Sequence, residues 1–144
     1  MLASWKDGQL CREWMKQFPS LFTEEAWHTI CNQHQKGYHF GEWFTAIHYW
    51  NMGYNVLIEK YQFRNHTKDF AKASQLLGPH FEELIANQTA ECQFPDLLAY
   101  RGQEWHLVEV KRDRDVVRPS QVRYFKTLEE IFQTEIHLVK VKPA

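Results

Sequence analysis

The stretch Phe94–Lys111, FPDLLAYRGQEWHLVEVK, decides how the chain is read. It contains two short strand-like runs joined by a turn. Pro95 to Tyr100 forms the first run. Arg101-Gly102-Gln103-Glu104 is polar and supplies the glycine that a tight turn favours. Trp105 to Lys111 forms the second run. Side chains two apart on a strand share a face, so Glu109 and Lys111 project together and Val110 turns to the other side. In an antiparallel hairpin the start of one strand lies beside the end of the next, which brings Asp96 to Glu109 and Lys111. Two carboxylates and an ammonium gathered on an otherwise apolar hairpin carry a desolvation cost, and that cost points to use.

Upstream, HFGEWFTAIHYWNM (39–52) places Phe40, Trp43, Phe44, Ile47 and Tyr49 or Trp50 on one broad apolar face, which predicts a helix. Glu42 falls in its first turns, where the helix dipole favours even a merely solvated glutamate. Gly53 ends the helix. Tyr54 to Phe63 is β-branched and aromatic with partial alternation, which predicts a strand. Thr67–Leu77 and His80–Asn87 read as helices on either side of Gly78-Pro79, a helical insertion over about 64–93. Downstream, Arg112-Asp113-Arg114-Asp115 is a charged loop. Arg118-Pro119-Ser120 opens a helix through about Gln133, and EIHLVKVK (135–142) is a last strand. That strand follows a crossover helix, so it is expected to pair parallel to its neighbour.

The fold class that results is α/β: a mixed four-stranded sheet flanked by helices, with an extra helical N-terminus over residues 1–36. In that N-terminal part Trp5, Leu10, Trp14, Met15, Phe18 and Leu21 recur near helical spacing. Pro19 breaks the run, Thr23-Glu24-Glu25 looks like a new helix start, and Gly37 marks a stop. His28, Cys31 and His34 share that second helix at spacings of three, but a metal reading needs a further ligand. With 144 residues the chain is sized for one domain with a core of its own.

The net charge of −1 gives no global signature for nucleic acid, but its distribution does. From Arg101 to Lys126 seven Lys or Arg face four acids, a local excess of three positive charges beside the hairpin. Arg112, Arg114, Arg118, Arg123 and Lys126 are its candidate DNA-binding residues. Three cysteines, Cys11, Cys31 and Cys92, are widely spaced and odd in number, which argues for a reducing compartment. No run approaches a membrane span and no signal segment opens the chain, so a soluble cytoplasmic protein is expected. Six tryptophans are present, and those of the N-terminal helices offer a surface for a protein partner.

Pro95-Asp96, then twelve residues, then Glu109-Val110-Lys111 resembles the PD-(D/E)xK nuclease pattern. The phrase LVEVKRDRDVVRPSQVRYF (107–125), with Ser120-Gln121 after the ExK triplet, is similar to the virus-type replication-repair nuclease (VRR-NUC) branch. The likeness covers roughly Phe40 to Val141. The insertion at 64–93 departs from it, and residues 1–36 lie outside it. It implies a restriction-endonuclease-like core over 37–144 and a Mg²⁺-dependent DNA endonuclease, with Mn²⁺ as a substitute. On that pattern Asp96 and Glu109 are metal ligands and the Val110 carbonyl is a third. Lys111 orients the attacking water and counters the developing negative charge, Glu42 is the first-helix glutamate that can hold a second metal or its water, and Gln121 supports the lysine or contacts the backbone. The branch implies branched or junction DNA in repair, recombination or mobile-element biology, and a homodimer.

Two other functions compete. One is a sequence-specific restriction-type endonuclease using the same residues. The other is a non-catalytic DNA- or protein-binding module, in which Lys111 is merely a strand-end lysine paired with Glu109. His39, His48 and His106 are weaker candidates for general bases, because lone histidines more often fill surface or core.

Overall fold

The computed structural model describes residues 1–22, 38–59, 61–65, 67–89, 93–112 and 114–142. Among them the elements run α1 (Leu2–Lys6), α2 (Gln9–Gln17), α3 (Phe40–Asn51), β1 (Asn55–Ile58), α4 (Thr67–Leu77), α5 (Pro79–Ala86), β2 (Leu97–Arg101), β3 (Glu104–Arg112), α6 (Pro119–Phe132) and β4 (His137–Val141). The four strands form one mixed sheet in sequence order. β2 is antiparallel to both β1 and β3, and β4 is parallel to β3. Arg101 pairs with Glu104 across a two-residue turn, where Gly102 takes a φ of 61°. Glycine enters that left-handed region without a Cβ clash. The crossover through α6 makes β4 parallel, as its position after a helix requires.

Alternation along the strands divides the core in two. Leu97, Ala99, Val108, Val110 and Val141 turn to one face, where Trp5, Trp14, Phe22, Phe40 and Trp43 of the N-terminal part and α3 cover them. Leu57, Leu98 and Leu107 turn to the other, against Phe70, Phe81, Phe125 and Leu128 of α4, α5 and α6. Burial of these side chains is the main favourable contribution to folding. The Trp5 indole donates to the Tyr38 carbonyl at 2.8 Å, so its polar edge is matched as well.

The hairpin, the helix at 39–52, the two insertion helices, the helix after Arg118 and the parallel last strand lie where the sequence predicts them, within two residues at their ends. One expectation needs correction. The first strand stops at Ile58, not Phe63. Glu59 adopts a φ of 52°, and the Tyr61 amide donates to the Glu59 carbonyl, so the chain turns away from the sheet. The N-terminal tryptophans Trp5 and Trp14 are buried against Phe40 in the core, and Trp27 lies outside the described residues. The helix start at Thr23, the His28–Cys31–His34 spacing, Gly37, Cys31, Cys92 and Asp113 lie outside the described residues. Cys11 is buried and free, its thiol pushed up to about 11 by burial. Among the described residues no helix is long and apolar enough to cross a membrane.

Candidate metal centre

The hairpin brings its charges together at one end of the sheet. Asp96 precedes β2, and Glu109 and Lys111 lie near the end of β3. The Asp96 amide donates to Glu109 Oε1 at 3.2 Å, and the Val110 amide donates to Asp96 Oδ2 at 2.9 Å. Lys111 Nζ sits 3.0 Å from Glu109 Oε2. Glu109 is buried at 3% exposure, so this ion pair is largely shielded from water. Val110 points to the opposite face, as alternation demands, and packs in the core beside Gly41.

Gln121 closes the group from α6. Its Oε1 accepts from Lys111 Nζ at 3.3 Å and from the Arg118 amide at 3.1 Å, and its Nε2 donates to Glu109 Oε2 at 3.2 Å. Gln121 is the third residue of α6, so one side chain both caps the helix and fixes the lysine and the glutamate. The segment leading to Asp96 is clasped from below. The Tyr61 hydroxyl donates to the Pro95 carbonyl at 2.6 Å, and the Phe94 amide donates to Gln62 Oε1 at 2.8 Å.

The acids crowd one another. Burial raises the Asp96 carboxyl well above the ordinary range, and Glu109 and Glu42 raise it further. Burial also raises Glu42 to about 7, with Glu59 and then Glu109 adding repulsion, opposed by its own backbone amide and by His39. This donor set fits Mg²⁺. A hard divalent ion takes carboxylate oxygens, and its charge would offset the repulsion between neighbouring acids.

Asp96, Glu109, Lys111 and Gln121 are therefore brought together by direct hydrogen bonds, and Glu42 reaches them through the field. The basic residues divide. Arg114, Arg118, Arg123 and Lys126 are exposed, whereas Arg112 is half-buried with its Cγ 3.0 Å from where a Gly41 Cβ would stand. His48 is exposed on α3. His106 lies away from the acids, bonded to Glu104 at 3.1 Å and stacked on His137 at 4.6 Å between centroids.

His39 and Glu59 join Glu42 in a way that sequence reasoning missed. His39 Nδ1 lies 2.8 Å from a Glu59 carboxylate oxygen, and one ligand atom from each of the three lies within 4.8 Å of the others. Two signals in the chain point there. His39 and Glu42 stand three apart at a helix start, hence on one face. Ile58 pairs with Leu97, so the next residue, Glu59, falls opposite Asp96, and its amide donates to the Asp96 carbonyl at 2.7 Å. No family model, curated protein or solved structure matches the chain.

Proposed function

We propose that this chain is a metal-dependent DNA endonuclease that hydrolyses phosphodiester bonds, with branched or junction DNA as its preferred substrate. The observation that carries the reading is the closure of Asp96, Glu109, Lys111 and Gln121 into one hydrogen-bonded group at the end of the sheet. The substrate preference rests on the resemblance of residues 107–125 to the VRR-NUC branch.

Asp96 and Glu109 would hold Mg²⁺, with the Val110 carbonyl beside them. The ion, when bound, supplies charge stabilisation at the phosphate and makes water a better nucleophile at neutral pH. Lys111 contributes a cation whose direction is fixed by Glu109 and Gln121. Such a preset donor can orient an attacking water and offset charge developing on the phosphate without reorganising during the reaction. Glu42 extends the acidic wall from α3. The exposed Arg114, Arg118, Arg123 and Lys126 supply the attraction for the backbone that a net charge of −1 does not.

The test is cleavage of a four-way junction, a flap and a linear duplex in Mg²⁺, by wild type, Asp96→Ala and Lys111→Ala. Wild type should cut the branched substrates, and each variant should lose about 10²–10³-fold in rate, the range for a lost transition-state contact. Equal cleavage by all three would overturn the reading. Fixed fragments from a plasmid would move the assignment to a sequence-reading nuclease.

A further inference from the structure

Beside the hairpin acids stands a group with a different donor chemistry. His39 caps the start of α3, Glu42 follows one turn later, and Glu59 leaves the end of β1. All three side chains are partly buried, and their ligand atoms lie within 4.8 Å of one another. We propose that His39, Glu42 and Glu59 form a second cation site, distinct in its ligands from Asp96 and Glu109, for a divalent first-row metal that accepts imidazole nitrogen, such as Mn²⁺.

Three features carry this. The first is size. Metal–ligand bonds of about 2.0–2.2 Å place opposed ligands up to about 4.4 Å apart, so a small contraction closes this group on an ion. The second is donor type. Imidazole suits transition metals better than Mg²⁺, which prefers oxygen throughout, and three protein ligands leave positions open for water or a phosphate oxygen. The third is how the ligands are held. His39 and Glu59 both stand in the left-handed region, at φ values of 70° and 52°, and neither is glycine. The His39–Glu59 contact at 2.8 Å now places a hydrogen where an ion would bridge the same two atoms. The acids around it (Glu42, Glu59, Asp96 and Glu109) interact as like charges, so a cation here relieves both groups at once.

The site gives the second metal expected at Glu42 its other ligands and in its use rests on the hydrolase reading, whereas its existence is argued from the placing of His39, Glu42 and Glu59. The test is therefore binding: Mn²⁺ titrated calorimetrically into the full chain after chelator treatment. Wild type should take two Mn²⁺ per chain. His39→Ala and Glu59→Gln should each take one, and Asp96→Asn should keep one. Pulsed electron paramagnetic resonance of wild type loaded with Mn²⁺ needs no variant, and should show nitrogen coupled directly to the ion. Undiminished stoichiometry in folded His39→Ala and Glu59→Gln, or no nitrogen coupling at saturation, would overturn the second site. Two bound Mn²⁺ with the nitrogen signal, but no DNA cleavage, would leave this site standing and remove the nuclease assignment instead.

Discussion

Glu42 holds its proton to about pH 7 in the folded chain, because burial strips water from its carboxylate and Glu59 repels the charge. The unfolded chain releases that proton near 4.5. Between these values the folded state binds more protons, so this contribution to stability is complete below the lower value and is lost as pH rises through the upper one. The loss is about 3 kcal/mol at most, from the size of the shift. Glutamine cannot ionise. In metal-free buffer, Glu42→Gln should therefore unfold at higher denaturant than wild type at about pH 8, with the advantage gone at about pH 4. Urea midpoints at the two values check this, and an advantage at acid pH alone would contradict it. Asp96 is shifted in the same direction for the same reasons, so metal-free wild type should lose stability steadily towards alkaline pH.

At the scale of elements, the approach of α3 to β3 is set by Gly41. A Cβ there would stand 3.0 Å from Arg112 Cγ and 3.3 Å from Val110 Cγ1. The absent side chain lets the first turn of α3 lie against the end of β3, which brings Glu42 within the field of Glu109. Gly41→Leu should cost about 1–3 kcal/mol through overpacking, read from urea unfolding, and should weaken Mn²⁺ binding by pushing Glu42 outward. The hairpin and its facing acids were legible beforehand, because turn chemistry and a period of two are written locally. Gln121 was legible only through family resemblance, since nothing local says that a helix-capping glutamine will also reach a lysine ten residues earlier. Glu59 was hidden inside an expected strand. A glutamate carries no mark that its backbone will take positive φ and end the pairing. Arg112 looked like one more surface cation, and only the closeness of α3 turns it inward.

For the molecule as a whole, charge is separated by region. The chain is near neutral, yet α6 presents Arg123 and Lys126, both exposed and three residues apart on one face. If these meet DNA phosphates, each should contribute about 0.9 to the slope of log affinity against log salt. The double variant Arg123→Ala/Lys126→Ala should flatten that slope by roughly two, measured by fluorescence anisotropy without divalent ions, and should leave Mn²⁺ stoichiometry unchanged. An unaltered slope would place the DNA path elsewhere. The sheet order carries a last consequence. Glu109 of β3 is aligned with Leu138 of β4, the strand that arrives only after the whole of α6. During ribosomal synthesis the acids and lysine of β3 thus emerge well before the strand that braces them and the helix whose glutamine aims them. If the chain is the nuclease proposed above, a product cut short before residues 137–141 would lack the strand that pairs with Glu109 and Lys111, and would not cleave DNA.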